Sequence, residues 1–279
     1  MEESIRKSGI LIEALPYLQA FRGKVIVAKY GGSALGHARA MRGILQDLVF
    51  LSVVGIRSVL VHGGGPAITR RLSSAGKPST FIDGMRVTDR AMIRLVNQEL
   101  NRVNRRLVAQ IQSLGGQAAG ILARHRLVVA APHAQAARLG FVGTVKTIHA
   151  QRIRQIFVQH AIPVISPIGT GNGRLYNINA DHVASEIAAR LKAEKLVLLT
   201  NVRGILRQAG SLISTLSVRE AKRLLARGVI QGGMIPKVQA CMDALRGGVK
   251  KTHIIHAGIP HAMLLEIFTK KGIGTEIIR

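Results

Sequence analysis

The fold of this chain can be worked out from one run of residues, 24–32, which reads Lys24-Val25-Ile26-Val27-Ala28-Lys29-Tyr30-Gly31-Gly32. It is a β-branched apolar run that ends in a lysine and two glycines. A second run ends in His62-Gly63-Gly64-Gly65-Pro66, and similar short runs recur at 127–130, 162–165, 196–199 and 252–255. Segments with helical periodicity lie between them, at 38–51, 91–114 and 182–191. Apolar strands that alternate with helices predict an α/β fold, with a mainly parallel central sheet sandwiched by helices.

The glycine turns that follow the first two strands predict a phosphate site. In a parallel sheet, ligands bind at the carboxyl ends of the strands, where both turns fall. Glycine lets backbone N–H groups approach phosphate oxygens without a Cβ in the way. Neither turn has the spacing of a Walker A loop or of a dinucleotide-binding fingerprint. A tight turn would explain either glycine cluster alone, whereas two such turns on neighbouring strands favour a phosphate site.

Three charged residues lie beside glycine turns or helix starts. Lys29 ends the first strand, and its position fits either a surface lysine or an ammonium group placed against phosphoryl oxygens. Asp181 opens a helical run, where it would act as a helix cap or orient cationic side chains. Lys237 follows Pro236 at another helix start, which already favours anions. Together with the glycine turns, the two lysines and the aspartate suggest phosphoryl transfer.

Composition limits the class of protein. The 279 residues are 47% apolar, which suffices for one large domain or two lobes around a cleft. The single cysteine, Cys241, excludes an internal disulfide framework and a multi-cysteine metal site. The acidic start at Met1–Ser4 is unlike a signal peptide, and no apolar run is long enough to cross a bilayer. We therefore expect a soluble cytoplasmic protein.

The chain is strongly basic, with 40 Lys and Arg against 14 Asp and Glu and a net charge of +26. Such an excess favours anionic partners. The basic residues are spread along the whole chain and form no arm or tail, which favours a solvated basic surface over a dedicated nucleic-acid site.

The first segment differs from the rest of the chain. It predicts a helix ahead of the first strand, with Pro16 near its middle and an apolar stripe of Ile10, Leu11, Leu15, Leu18 and Phe21. Periodicity alone does not decide whether this helix packs on its own domain or joins subunits. A boundary between two lobes is expected near residues 193–195, between a helix and a strand.

Several motifs match one family, since the chain resembles the acetylglutamate kinases of the amino-acid kinase superfamily from about residue 10 to residue 279. The matching segments are Lys29-Tyr30-Gly31-Gly32-Ser33-Ala34, Val61-His62-Gly63-Gly64-Gly65-Pro66, Asp83-Gly84-Met85-Arg86-Val87-Thr88-Asp89, Leu139-Gly140-Phe141-Val142-Gly143, Tyr176-Asn177-Ile178-Asn179-Ala180-Asp181 and Gly232-Gly233-Met234-Ile235-Pro236-Lys237-Val238. The resemblance implies a two-lobed kinase that phosphorylates the side-chain carboxylate of N-acetyl-L-glutamate with ATP, the second step of arginine biosynthesis.

The resemblance also implies roles for single residues. Lys29 and Lys237 would stabilise the transferring phosphoryl group, and Asp181 would hold both lysines in place. The ATP phosphates would be bound by Lys29, Lys237 and the backbone N–H groups of Gly31, Gly32 and Gly64. The acetylglutamate would be bound by Gly64, Gly65, Arg86 and Asn177, and Arg86 would pair with its α-carboxylate. Mg²⁺ would be held mainly by ATP, so that no protein metal ligand is expected.

The amino-terminal helix resembles that of the arginine-inhibited hexameric branch of the family. Four residues match an arginine site in that branch: Tyr17, His253, Glu266 and Gly272. The implied organisation is an oligomerisation helix at 1–22, an acetylglutamate-binding and dimerisation lobe at 23–194 and an ATP-binding lobe at 195–279. The implied assembly is a hexamer built as a trimer of dimers, and some relatives bind a nitrogen-signalling regulatory protein.

Three segments depart from the family pattern: residues 123–126, Asn201 and the pair Lys270-Lys271. The pair adds positive charge beside Gly272, which predicts weakened inhibition by arginine. Two other functions are weighed against the main one. The first is a kinase for glutamate or aminoadipate attached to an acidic carrier protein, which the basic surface would suit. The second is a kinase-like regulatory protein that binds anions.

Overall fold

The computed structural model describes residues 1–31, 38–207, 210–269 and 272–279. Within these ranges the helices are α1 (Glu2–Phe21), α2 (Ala38–Val53), α3 (Gly65–Ser73), α4 (Arg90–Ser113), α5 (Ala136–Leu139), α6 (Gln151–Val158), α7 (Ala180–Leu191), α8 (Val218–Ala226), α9 (Ile235–Arg246) and α10 (Ala262–Phe268). The strands are β1 (Val25–Tyr30), β2 (Arg57–His62), β3 (Phe81–Ile82), β4 (Met85–Arg86), β5 (Ala118–Ile121), β6 (Val128–Pro132), β7 (Gly143–Ile148), β8 (Ile162–Ile165), β9 (Ile168–Gly171), β10 (Arg174–Asn177), β11 (Lys195–Thr200), β12 (Thr215–Ser217), β13 (Lys251–His256) and β14 (Thr275–Ile278).

Eight strands form the central sheet, in the order β12-β14-β13-β11-β1-β2-β8-β5. All neighbouring pairs are parallel except β13 with β14. Alternate residues of β1 face opposite sides of the sheet: Val27 belongs to one apolar cluster, and Ile26 and Ala28 belong to the other. Because helices cover both faces, the strands are apolar on both sides, and the predicted α/β fold with a mainly parallel sheet is confirmed.

One of the predicted strands lies outside the central sheet. The apolar run at 127–130 forms β6, which belongs to a second sheet with the order β10-β9-β6-β7. This sheet is mostly antiparallel, and it places Asn177 at the end of β10. Apolar periodicity identifies a buried strand but carries no information about its pairing partner, so the sequence did not predict this second sheet.

Helix α1 is continuous from Glu2 to Phe21, with Pro16 inside it. Its apolar side chains are largely exposed in the first four turns, at Ile5, Ile10, Leu11, Ile12 and Leu15. Nearer its end, Tyr17 packs edge-on against Phe268 of α10, with ring centroids 6.1 Å apart. The helix therefore docks on its own chain at its carboxyl-terminal end.

Within the ranges that the structure describes, none of the helices combines the length and the apolar character that a membrane crossing requires.

Candidate active site

Three elements of the fold bring the predicted charged residues together. Lys29 lies at the carboxyl end of β1, Asp181 in the first turn of α7 and Lys237 in the first turn of α9. Asn179 caps α7, because its side chain accepts a hydrogen bond from the N–H of Asp181. The cap sets the position of the aspartate, so Asp181 serves as a first-turn acid rather than as the cap itself.

Asp181 bridges the two lysines. One carboxylate oxygen lies 2.9 Å from Nζ of Lys29, and the other lies 2.8 Å from Nζ of Lys237. Lys29 and Asp181 are buried, with only 6% and 3% of their surfaces exposed, whereas Lys237 is partly exposed. Lys29 is therefore no surface lysine, and the two ammonium groups are fixed on one carboxylate.

The ion pairs control the charge of Asp181. Burial alone would raise the pKa of this carboxyl group, but the adjacent Lys29 and Lys237 hold the pKa at about 2. Asp181 is thus ionised at neutral pH. The cluster of one carboxylate and two ammonium groups carries a net positive charge beside the cleft, which suits an anionic ligand.

Lys29 shares a cavity with most of the predicted binding residues. The cavity has a volume of about 230 Å³ and lies over the ends of β1 and β2. Its walls contain Lys29, Gly63, Gly64, Gly65, Ile68, Phe81, Gly84, Met85, Arg86, Leu100, Val142, Pro167, Asn177, Ile178, Asn179, Ala180 and Asp181. Lys237 and Gly31 do not line the cavity, although Lys237 reaches its wall through Asp181.

The first glycine turn is shaped around Lys29. A Cβ on Gly31 would lie 2.9 Å from both Cε and Nζ of Lys29, so glycine at this position leaves room for the buried lysine side chain. Gly32, the other predicted phosphate-binding glycine of this turn, lies outside the described residues.

Arg86 is part of the wall of the cavity. Its guanidinium group donates to Oγ1 of Thr69 at 2.8 Å, to the carbonyl of Gly65 at 3.2 Å and to Oγ of Ser79. It also stacks 4.6 Å from the ring centre of Phe81. Among the described residues, no carboxylate pairs with Arg86, although only 6% of its surface is exposed. A buried guanidinium group with neutral partners is suited to bind a substrate carboxylate.

Asn177 is the last residue of β10 in the second sheet. Its backbone N–H donates to the carbonyl of Phe141, and its side-chain amide lies 3.4 Å from Oγ1 of Thr88. These contacts hold the Asn177 side chain on the wall of the cavity that also contains Arg86, where a polar substrate group would meet both residues.

This geometry suits phosphoryl transfer to a carboxylate. Lys29, Asp181 and Arg86 line the same cavity, and Lys237 is paired with Asp181. Among the described residues that line the cavity, Asp181 provides the carboxylate group. Both of its oxygens are paired with lysines, so Asp181 is not free to act as a general base. A substrate carboxylate needs no base, because it attacks in its ionised form. In the described ranges, no cluster of three or more His, Cys, Asp or Glu side chains is arranged to hold a metal ion.

We expect a loss of kcat/KM at alkaline pH. Burial lowers the pKa of Lys29 below the usual 10.5, Asp181 opposes this effect and Lys237 adds to it. In the free enzyme the ammonium group should therefore deprotonate below pH 10.5, and kcat/KM should fall with it. A bound phosphate would favour the ammonium form, so the same fall in kcat should occur at higher pH. The measurement is the pH profile of kcat/KM for wild type and for Lys29→Arg. If the fall at alkaline pH is the same in both proteins, it results from the titration of a group other than Lys29.

A second pocket contains all four residues of the expected arginine site. Tyr17, His253, Glu266 and Gly272 line a cavity of about 290 Å³ between α1, α10 and the edge of the central sheet. Nδ1 of His253 lies 2.7 Å from a carboxylate oxygen of Glu266, and both side chains are nearly fully buried. Burial lowers the pKa of His253. Burial would raise the pKa of Glu266, but the contact of Glu266 with His253 keeps the pKa of this carboxyl group below its usual value. A neutral histidine therefore leaves the negative charge on Glu266.

Some residues of both sites were not identified from the sequence. Thr69, Ser79 and Phe81 hold Arg86, and Lys195 and Glu276 line the second pocket. None of them belongs to a turn or motif with a recognisable spacing. Asn179 is the exception, since asparagine two residues before Asp181 is a recognisable helix-cap signal.

Comparison with known proteins agrees with this geometry. The model of the amino acid kinase family matches residues 24–256. The acetylglutamate kinase of Desulforamulus reducens is 46% identical over 285 residues, which cover 100% of this chain and 99% of that protein. The acetylglutamate kinase of Moorella thermoacetica is 46% identical over 289 residues and covers 98% of both chains.

A solved structure with a similar fold belongs to a longer protein. The N-acetylglutamate synthase from Neisseria gonorrhoeae, complexed with coenzyme A and N-acetyl-glutamate, is similar with a TM-score of 0.85 and 28% sequence identity. The similarity covers 96% of this chain but only 62% of the synthase chain. From the family match and the full-length relatives it follows that the chain belongs to the amino acid kinase family and, within it, to the acetylglutamate kinases.

Proposed function

We propose that this enzyme transfers the γ-phosphoryl group of ATP to the side-chain carboxylate of N-acetyl-L-glutamate, giving N-acetylglutamyl 5-phosphate and ADP. The observation that carries the proposal is the cavity that is lined by Arg86 together with Lys29 and Asp181, the latter paired with Lys237. A substrate with two carboxylates would fit this arrangement, one on the arginine and one near the lysines. The full-length relatives of the same name support the choice of substrate.

In the proposed reaction a carboxylate oxygen of the substrate forms a bond to the γ-phosphorus. The bond between that phosphorus and the β–γ bridging oxygen breaks, and ADP leaves with the electron pair. Lys29 and Lys237 offset the charge on the phosphoryl oxygens, while Asp181 keeps both ammonium groups in place. Arg86 and Asn177 orient the acceptor, so that catalysis consists of positioning and charge stabilisation.

Mg²⁺ would enter with ATP. Both carboxylate oxygens of Asp181 are already taken by lysines, which leaves the phosphate oxygens of ATP as its main ligands. When bound, Mg²⁺ would neutralise part of the phosphate charge. We further propose that residues 23–194 bind acetylglutamate and that residues 195–279 bind ATP.

A coupled assay that follows ADP release tests the function. Purified enzyme is supplied with ATP and with N-acetyl-L-glutamate, free glutamate or a carrier-bound glutamate, each in a separate reaction. We expect turnover with acetylglutamate. Turnover of the free or carrier-bound substrate without turnover of acetylglutamate would replace the proposed substrate.

We also propose that the enzyme assembles as a hexamer of three dimers joined through α1. The exposed apolar side chains of α1, which include Leu11 with 69% of its surface exposed, support this arrangement because they need a partner surface. A second copy of the same helix would supply an equally apolar one.

Removal of the helix should dissociate the assembly. A chain that begins at Gly23 is expected to form dimers that still phosphorylate acetylglutamate, as measured by light scattering and the coupled assay. Leu11→Asp should act in the same way, since a charge would be buried at the contact. Val158→Asp is the matched control, because Val158 on α6 is an equally apolar and exposed residue, with 80% of its surface exposed. A full-length enzyme that is a monomer or dimer contradicts the proposal.

The second pocket is proposed to bind arginine as a feedback inhibitor. Glu266 would pair with its guanidinium group, and Tyr17 would connect the bound ligand to α1. Lys195 also lies in the pocket, with Nζ 3.4 Å from the carbonyl of Glu266, and it adds a positive charge near the ligand. Lys270 and Lys271, which precede Gly272 in the sequence, lie outside the described residues.

We expect arginine to inhibit the wild-type enzyme weakly and the double variant Lys270→Asp/Lys271→Glu more strongly. Like charges near the pocket should oppose a cationic ligand, so their reversal should lower the inhibitory concentration by about threefold or more. Activity is titrated with arginine in both proteins, with Glu266→Gln as the variant that should lose inhibition. Equal sensitivity of the double variant and wild type would show that the two lysines do not limit binding.

A further inference from the structure

A histidine lies directly beneath the second glycine turn and takes no part in the chemistry described so far. His62 ends β2, and its side chain is fully buried. Nδ1 of the ring lies 2.9 Å from the carbonyl oxygen of Gly63, and Nε2 lies 3.1 Å from Nδ2 of Asn104 on α4. Both ring nitrogens are therefore engaged, one by the turn and one by a helix.

The contacts of Asn104 fix the protonation of the histidine. The same Nδ2 atom of Asn104 donates to the carbonyl oxygen of Val164 at 2.9 Å, and a carbonyl oxygen only accepts, so this atom is the amide nitrogen. Its other hydrogen is then directed to Nε2 of His62, which must accept. The ring proton is thus on Nδ1, from where it donates to Gly63. Burial lowers the pKa of His62 to about 4, so this neutral form holds at physiological pH.

Two hydrogen bonds hold the two peptide groups that meet at Gly63, and the second of them is the group between Gly63 and Gly64. The N–H of Gly63 donates to the carbonyl of Tyr30 at 2.8 Å, and the carbonyl of Gly63 accepts from His62. In a planar trans peptide the N–H of Gly64 points opposite to the carbonyl of Gly63, and hence away from the buried ring. Gly63 and Gly64 line the active-site cavity and His62 does not, so the Gly64 N–H lies on the side of the cavity. Among the described residues, no acceptor binds this N–H.

The surroundings of Asn104 are built to accommodate it. A Cβ on Gly120 of β5 would lie 2.3 Å from Oδ1 of Asn104, so glycine there leaves the space that the amide occupies. One turn earlier on α4, Leu100 packs under the same glycine turn, since a Cβ on Gly64 would lie 2.6 Å from its Cδ2 atom. Helix α4 thus supports the turn at two successive positions.

We propose that His62 and Asn104 are positioning residues that aim the N–H of Gly64 at the phosphoryl group in transfer. The role rests on the proposed function, because it acts through a contact to the transferring group. A donor that is already aligned stabilises the developing charge without reorganisation during the reaction. A turn without the histidine would keep its glycines but could rotate the peptide group, and the donor would then be lost to the reaction.

Three variants and one control test the role. His62→Leu removes both hydrogen bonds, and kcat is expected to fall by about 10- to 100-fold, somewhat less than for complete loss of an oxyanion donor. The KM values for ATP and acetylglutamate should change by less than about threefold, as expected for a contact made mainly in the transition state. His62→Asn keeps a donor at the position of Nδ1 and should recover most of kcat.

Asn104→Leu should lower kcat, and its combination with His62→Leu should lower kcat little further than His62→Leu alone. Asn101→Leu, the same change one turn away on α4, should leave kcat unchanged.

Crystal structures of wild type, His62→Leu and His62→Asn separate this proposal from the function on which it rests. The peptide group between Gly63 and Gly64 should rotate in His62→Leu and keep its orientation in His62→Asn. An unchanged peptide group in His62→Leu, a kcat within about twofold of wild type, or a His62→Asn as slow as His62→Leu each overturns the positioning role. An inactive wild type would overturn the proposed function alone, since the orientation of the peptide group would still be measured. If His62→Leu does not fold, His62→Asn and Asn104→Leu carry the test.

Discussion

Lys237→Ala and Lys29→Ala are each expected to lower kcat by about 10²–10³-fold, while the KM values change far less. Nζ of Lys237 lies 2.8 Å from Asp181 and Nζ of Lys29 lies 2.9 Å from it, so both ammonium groups are held before ATP binds. A positioned cation acts most strongly where charge develops, in the transition state. Loss of one such contact should cost about 2.7–4 kcal/mol of transition-state stabilisation, by analogy with the loss of an oxyanion-hole donor.

Lys24→Ala is the matched control for the lysine variants. Lys24 precedes β1, is exposed and lies 4.0 Å from Glu194, so its removal changes the net charge equally but leaves the cluster intact. Steady-state kinetics with ATP and acetylglutamate should show no loss of kcat in this variant. If Lys237→Ala or Lys29→Ala raises KM and leaves kcat unchanged, that lysine contributes to ground-state binding instead.

The cluster of Lys29, Asp181 and Lys237 could be predicted from the sequence because each member lies at an element boundary. Lys29 directly precedes a glycine turn, and Asp181 and Lys237 lie in the first turns of helices. Strand and helix signals place such boundaries at one edge of a parallel sheet, where they meet. The burial of Lys29 was not predictable in the same way, because it depends on how α7 and the neighbouring strands cover it.

The surroundings of Arg86 could not be predicted from the sequence. Its partners are Thr69 on α3 and Ser79 and Phe81 around the β3–β4 hairpin, and each contact depends on how these elements pack together. The pairing of β6 within the second sheet could not be predicted for the same reason, because it too depends on how distant parts of the chain pack together. Local patterns report which residues are buried, whereas the choice of partner is a property of the whole chain.

The apolar stripe of α1 illustrates a further limit. The sequence indicated an amphipathic helix but left open whether it packs on its own domain or on another subunit. In the structure its end contacts α10 through Tyr17, while the earlier apolar side chains, such as Leu11, are exposed. Only a three-dimensional structure separates these two parts of the helix, because they share one periodic pattern.

Asp181→Asn is expected to lower both kcat and stability. The substitution keeps the shape of the side chain but leaves the ammonium groups of Lys29 and Lys237 without a countercharge in a buried cluster. Breaking a buried ion pair in this way typically costs about 3–5 kcal/mol. Deprotonation of Lys29, whose pKa burial already lowers, would relieve part of this cost and at the same time remove a cation of the proposed active site. We expect kcat to fall by at least as much as in either lysine variant, by about 10²-fold or more.

The stability effect should depend on pH in a defined direction. The pKa of Asp181 is about 2 in the folded protein, against 3.8 for the ordinary group, so the ionised form stabilises the fold above pH 4 by roughly 2 kcal/mol. This contribution is lost as the pH falls from about 4 to 2. Wild type and Asp181→Asn should therefore differ most in denaturant unfolding near neutral pH and converge in acid. Asp243→Asn, a change in a partly exposed carboxylate of α9, should show a small difference and a normal kcat. A stability difference between wild type and Asp181→Asn that persists unchanged at pH 2 would assign the loss to packing rather than to the charge of Asp181.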